Sequence, residues 1–371
     1  MASPSQELPK THRALILSST SEPPKIKDVP APQPGPGSVV VHMLSANILS
    51  YQKSIYNGER KYPFPTPLTT GMGGIGRIAA IGPDTLTLSP GQLVFVDCFV
   101  RGRDDPNSAF LLGIHEGHTE GSRKLMHGEW RDGSFAEYVK IPLECAYPLN
   151  EELLMGKLGY GVEELGEIAR DLIPFGGLSD ISIRPGETII IAPATGPFGM
   201  AAVKVALAMG TRVIAMGRNL SILQRLQASH ERVEIVQITG DEQADLEKVK
   251  GFGTIDAYFD ISPPVAGTST HFKSCMLALR HGGRISLMGG LNIDLAIPHA
   301  IVMHRDLLLK GKWMYDRQNV LDLIKMVEIG LLKMGSKAGQ EYVKFPMDEW
   351  KEAFDAAEGF SGSNRSAVLV P

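Results

Sequence analysis

The residues Ala194-Thr195-Gly196-Pro197-Phe198-Gly199 follow an apolar run beginning at Thr188 and open a second apolar segment that continues Ala201-Ala202-Val203. Small residues at such a turn let backbone amides and a helix N-terminus approach a pyrophosphate closely. The turn departs from the pattern GxGxxG at its first position, where Ala194 stands for glycine. Tight strand-to-helix turns need glycine for conformational reasons too, but here strand, turn, helix and second strand fall at the spacing a dinucleotide site requires.

The end of the second strand bears on which dinucleotide that is. A site for NAD expects an acid about 20 residues past the glycines, where it binds the ribose 2′-hydroxyl. This strand ends instead in Met216-Gly217-Arg218-Asn219. No carboxylate there repels a 2′-phosphate, and the planar fork of Arg218 suits one, so NADPH is the expected cofactor. The plainer reading of Arg218 is a solvated residue at a helix start.

Other reactive residues offer less. His115, Glu116, His118 and His127 crowd one stretch and invite a metal assignment, but Gly113 and Gly117 break any helix that would fix them on one face. They read as surface histidines of a substrate-side lid, whose apolar wall Met126, Trp130 and Phe135 would line unless they pack in the core. Cys98, Cys145 and Cys275 lie far apart with no CxxC pair. That spacing supports neither a disulfide framework nor a structural zinc cluster.

The elements that must position these residues change character along the chain. From His12 to about Lys140 there are short β-rich runs cut by Gly and Pro, among them Ser38 to Met43, Gly76 to Gly82 and Gln92 to Val96. They suggest a small irregular barrel. A polar, glycine-rich stretch from Arg101 to Asp132 interrupts it, too long for an ordinary connection, before Phe135 to Val139 resumes strand character. A helical pattern spans Val162 to Leu178, and alternating strands and helices follow: strands at Ile189 to Ala192, Arg212 to Met216, Ile255 to Asp260 and Arg284 to Met288, helices at Phe198 to Met209 and Leu220 to Ala228. That order predicts a doubly wound parallel sheet. A helix at Val320 to Ile329, a strand at Glu341 to Phe345, a helix at Trp350 to Ala357 and a strand at Ser366 to Val370 are expected to return and complete the first fold. The predicted division is residues 1–160 with 315–371 as a substrate-binding domain and 161–314 as the dinucleotide-binding domain.

With 371 residues, two domains are expected. A net charge of −4, from 37 basic and 41 acidic residues, gives no drive toward nucleic acid or anionic membranes. The longest apolar runs are of strand length, far short of the about 20 residues that span a bilayer. Met1 to Lys10 is polar and lacks the apolar core of a secretory signal, so a cytoplasmic location is the default expectation.

This arrangement resembles the medium-chain dehydrogenase/reductase superfamily across nearly the whole chain: an α/β protein with a Rossmann doubly wound sheet inserted into an irregular barrel-like catalytic domain. Gly71-Met72-Gly73-Gly74-Ile75-Gly76 resembles the family's glycine-rich segment, and Gly133-Ser134-Phe135-Ala136-Glu137-Tyr138 its strand entry. Leu287-Met288-Gly289-Gly290 resembles the loop that holds the nicotinamide. The resemblance implies zinc ligands that this chain lacks. The His-Glu pair of the zinc-dependent branch falls at Met72 and Gly73, the ligating Cys at Leu49, and the third ligand near Ile173 to Gly177, where no Cys, His, Asp or Glu matches. The chain is therefore similar to the zinc-free reductases, which include quinone and enone reductases.

Without a metal, the negative charge left on oxygen after hydride transfer needs another partner, and a hydroxyl is the obvious one. By resemblance Tyr51, two residues past Leu49, falls where the zinc branch places its proton-relay hydroxyl. A partly buried aromatic bonded to backbone is the competing reading, and Tyr56 is a second candidate. The expected function is an NADPH-dependent, zinc-independent oxidoreductase acting on an activated C=C bond of a small-molecule enone or quinone. Two alternatives stay open: a zinc-independent carbonyl or imine reductase of alcohol dehydrogenase type, and a nucleotide-binding sensor or scaffold with little redox activity. The segment Ala296 to Lys312 resembles the edge through which relatives pair, which implies a homodimer.

Overall fold

The computed structural model describes residues 8–371; the first seven residues of the polar Met1 to Lys10 stretch lie outside it. Contacts divide the chain into two compact units, one running to Ala169 and resuming over Lys333–Pro371, the other Arg170–Leu332. These divisions fall later than the sequence suggested. The helix Arg317–Glu328, expected in the returning tail, groups with the second unit and buries Val320, Leu323, Ile324 and Val327.

The second unit is built on a six-stranded parallel sheet: β1 Thr188–Ala192, β2 Arg212–Gly217, β3 Val233–Gln237, β4 Ala257–Asp260, β5 Arg284–Leu287 and β6 Leu308–Gly311. Its order is β3-β2-β1-β4-β5-β6. β1 reads Thr-Ile-Ile-Ile-Ala and is buried at all five positions, a continuous β-branched run of the kind a strand covered on both faces requires. Helices α1 Pro197–Ala208, α2 Leu220–Ser229, α3 Glu242–Lys250 and α4 His271–Ala278 connect the strands. Ile190, Ile214, Tyr258 and Ile285 of the sheet pack with Val249, Phe272, Cys275 and Met276 of the helices in one core. From β1 the chain winds outward to β2 and β3, then crosses back to β4, so a crevice opens at the carboxyl ends of β1 and β4.

The first unit is antiparallel in the main. Ser38–Asn47 is its central strand, pairing with Gly74–Ile81, Tyr138–Pro142 and Arg365–Val370. The C-terminal segments do return to it: Leu369 sits opposite Ala46, and Glu341–Pro346 runs parallel beside Arg365–Val370. The stretch expected to be irregular, Arg101 to Asp132, carries structure of its own. Ala109–Leu111 pairs with Phe99–Arg101, and a helix at Glu120–His127 is capped by Thr119 accepting from Ser122 N. Strand character resumes at Tyr138–Pro142, a little later than expected, because Phe135 and Ala136 are drawn instead to the strand Thr11–Leu17. Met126 and Phe135 are both fully buried, hence core residues and not the wall of a pocket.

One buried hydroxyl holds three parts of this unit together. Tyr56 donates to Gly113 O (3.1 Å) and accepts from Gly71 N (2.7 Å). This double engagement explains Tyr56 structurally. Tyr56→Phe orphans a buried carbonyl and a buried amide, and chemical denaturation is expected to register a loss of about 1–3 kcal/mol.

Candidate functional site

In the second unit, Ala194 and Gly199 are buried while Thr195 to Phe198 are half-buried at the carboxyl end of β1. Gly196 is the N-cap of α1 and Pro197 its first residue, where a missing N–H costs nothing. The first intrahelical bond runs from Met200 N to Gly196 O (2.9 Å), which leaves the amides of Phe198 and Gly199 at the open, positive end of the helix. Two close approaches fix this turn. A Cβ on Gly199 would stand 2.1 Å from Pro193 O, so only glycine lets α1 start so near the strand; a Cβ on Gly196 would meet nothing within 4 Å. Ala194 N donates to Met216 O (2.6 Å), stitching the turn to the end of β2. There Gly217 is constrained less rigidly, since a Cβ would lie 2.6 Å from the Thr195 side chain and not against backbone.

Beyond Gly217, Arg218 is exposed and makes no ion pair with any described residue, while its carbonyl accepts from Gln237 Nε2 (3.1 Å). The Asn219 amide oxygen is occupied in capping α2, accepting from Ile222 N (3.2 Å) and the Ser221 hydroxyl (2.8 Å). Met288, Gly289 and Gly290 leave β5 on the same edge of the sheet, tied to β4 through Met288 N to Asp260 O (3.0 Å). The positions expected to hold a dinucleotide are therefore brought to the carboxyl ends of β1, β2 and β5. Asp260, whose carboxylate lies 2.5 Å from where a Gly289 Cβ would sit, was not singled out from sequence. No spacing signal relates residues on separate strands in that way.

In the first unit, Tyr51 precedes the short helix Gln52–Tyr56 and is half-buried. Arg60 lies over its ring, the guanidinium carbon 3.8 Å from the centroid, and is held by Nε donating to Ser54 Oγ (3.2 Å). Ser54 Oγ in turn donates to Tyr51 O (2.8 Å). Burial pushes the Tyr51 phenol well above its usual value, and Tyr62 beside it adds to the shift, against a smaller opposing pull from Arg60. The group stays protonated at neutral pH and is a hydrogen-bond donor. His115 packs edge-on against Tyr62 (centroids 5.2 Å) and against His118 (5.1 Å). Its Nδ1 accepts from Gly117 N (2.9 Å). His115 is half-buried, not one of a set of surface histidines, and His127 pairs with Glu116 (2.7 Å). Sequence reasoning missed Arg60 and Tyr62, which the loop after the helix folds back onto Tyr51.

Among the described residues no three His, Cys, Asp or Glu side chains gather as a metal would need. At the positions matching the zinc branch, Met72 offers a buried thioether and Leu49 an aliphatic chain. At Gly73 the backbone has φ +104° and a Cβ would stand 2.4 Å from Val96 O, so no carboxylate side chain fits. Ile173 to Gly177 lie inside the helix Ile168–Asp180. This donor set does not fit zinc.

Residues 35–151 match the family model of the alcohol dehydrogenase GroES-like domain. An L-threonine 3-dehydrogenase of Anaeromyxobacter sp. (strain Fw109-5) is 25% identical over 370 residues, covering 96% of this chain and 98% of that one. Among solved structures, a cobalt- and zinc-bound thermostable alcohol dehydrogenase from Pyrobaculum aerophilum superposes with a TM-score of 0.74 at 18% identity, covering 97% of this chain and 100% of that one. A short chain alcohol dehydrogenase from E. coli CFT073, complexed with NADH, gives a TM-score of 0.77 at 18% identity and covers 98% and 100%.

Burial, with the neighbouring His118 adding to it and Glu116 opposing, depresses His115 from the usual 6.5 to about 4. The folded state thus binds its proton less readily than the unfolded chain. The contribution of His115 to stability is complete above pH 6.5 and lost as pH falls from there through about 4. Histidine proton NMR should find this ring titrating near pH 4, and His115→Gln should flatten the pH dependence of unfolding over that window.

Proposed function

Fold, domain match and relatives together support membership of the medium-chain dehydrogenase/reductase superfamily, and on that footing we propose that this chain is an NADPH-dependent oxidoreductase working without zinc. The observation that carries the cofactor half of this reading is the end of β2, where Arg218 follows Gly217, is exposed and makes no ion pair with any described residue, with no acid at the strand end. The Phe198 and Gly199 amides at the start of α1 would receive the pyrophosphate, Arg218 the 2′-phosphate, and Met288 to Gly290 the nicotinamide end. A reduced nicotinamide held there supplies hydride.

The protein's own share of the chemistry falls to Tyr51. Its phenol, kept protonated by burial, donates to the oxygen on which charge develops, and Arg60 over the ring stabilises the phenolate left behind. The substrate class proposed is an activated C=C bond of an enone or quinone, the proton going to the enolate oxygen; the same donor serves the oxygen of a carbonyl substrate equally. A second reading, reduction of a carbonyl or oxidation of an alcohol, is favoured by the relatives, whose names are those of alcohol and threonine dehydrogenases. A homodimer through β6 is part of the proposal, since that edge strand leaves Leu308 exposed.

Following NADPH oxidation against a panel of enones, quinones, aldehydes and imines tests the reaction. Turnover of enones or quinones alone supports the first reading, and turnover of aldehydes alone the second. Tight NADPH binding without turnover of any of them would make the chain a sensor. Arg218→Ala should weaken NADPH binding about 10- to 100-fold while leaving NADH affinity within about twofold; equal loss for both would remove the 2′-phosphate contact. Tyr51→Phe should lower kcat by about 10²- to 10⁴-fold with NADPH affinity unchanged, and dialysis against a chelator should leave the wild-type rate intact.

A further inference from the structure

A buried polar chain lies against the Met288 to Gly290 turn and takes no part in phosphate binding or proton transfer. β4 ends at Asp260, whose Oδ1 accepts from the Tyr258 hydroxyl (3.1 Å) and the Ser262 hydroxyl (2.6 Å). Ser262 Oγ lies 2.9 Å from His271 Nε2, and His271 Nδ1 lies 2.6 Å from Ser269 Oγ. Tyr258, Asp260, Ser262 and His271 are each at most 3% exposed. The donors order themselves. Because the Ser262 hydroxyl gives its proton to Asp260, its oxygen accepts from Nε2, which therefore carries a proton.

Asp260 closes β4 and His271 opens α4, so these bonds fasten both ends of the Ile261 to Thr270 connection. The same residues shape the turn after β5. Gly290 N donates to Ser262 O (2.8 Å) and Met288 N to Asp260 O. A Cβ on Gly289 would stand 2.5 Å from Asp260 Oδ2 and 2.8 Å from Ser262 N, so the turn rests directly on these two residues. An apolar residue at 271 would pack α4 with none of the desolvation that four buried polar groups entail, whereas a fully bonded network holds one geometry.

We infer that His271 is a positioning residue for the cofactor: through Ser262 and Asp260 it holds the Met288 to Gly290 turn in the shape that receives the nicotinamide end. The inference rests on the dinucleotide site proposed above and adds to it a residue that touches no ligand itself. His271→Gln and His271→Asn separate this role from simple packing. The glutamine amide nitrogen reaches the place of Nε2 and keeps the donor to Ser262; the asparagine amide reaches only the place of Nδ1 and leaves Ser262 without it.

NADPH titrations by isothermal calorimetry on the full chain, with Tm measured alongside, provide the test. His271→Asn and Ser262→Ala are expected to raise Kd about tenfold or more, the worth of one buried hydrogen bond, while His271→Gln stays within about threefold and the two histidine variants melt alike. Should His271→Asn fail to fold, Ser262→Ala against His271→Gln gives the same comparison. Equal affinity in the glutamine and asparagine variants, or affinity that tracks Tm through the series, overturns the role given to His271. A wild-type chain that binds neither NADPH nor NADH overturns the proposed cofactor site itself, whereas wild-type binding that the variants leave untouched overturns only this inference.

Discussion

The approach of α1 to the end of β1 is the constraint on which the rest of the second unit depends. With the Pro193 carbonyl 2.1 Å from where a Gly199 Cβ would sit, any side chain there would push the helix off the strand. The first-turn amides of α1 would then no longer face the crevice at the switch in strand order. Helix packing and the course of the chain from β1 into α1 are coupled through one missing methyl group. Gly217 repeats the device on β2, where Thr195 occupies the space that a side chain would take.

The first unit sets two opposing influences on one phenol. Desolvation holds the Tyr51 phenol in its neutral form, and Arg60 stacked on the ring favours the charged one. The balance leans to the protonated state, since the desolvation outweighs the pull of the arginine. Tyr62 and His115 extend this polar, aromatic surround, with His115 kept neutral by its own burial.

Local pattern made the elements of the second unit legible. The run at β1, the turn Ala194 to Gly199 and the Arg218 that follows β2 are all consecutive residues, and their chemistry follows from neighbours in the chain. The extent of the second unit was less legible, because the helix Arg317–Glu328 has the same amphipathic pattern whichever unit it joins. Structure within Arg101 to Asp132 was obscured by its polar composition, although Thr119 is an ordinary helix cap. Arg60 above Tyr51, and His271 linked to Asp260 through Ser262, were out of reach for a stronger reason. Each depends on how a loop folds back, and no periodicity encodes which side chains such a fold brings together.

The backbone at Gly73 carries a consequence for redesign of the Gly71 to Gly76 segment. Its left-handed conformation and the Val96 carbonyl crowding it mean that the absence of an acid at this position is set by the main chain, not only by side-chain identity. A side chain at Gly73 would meet the Val96 carbonyl with no room for it. Placing an acid at position 73 would therefore demand re-laying the Gly71 to Gly76 segment against Val96, so redesign here has to begin with the backbone.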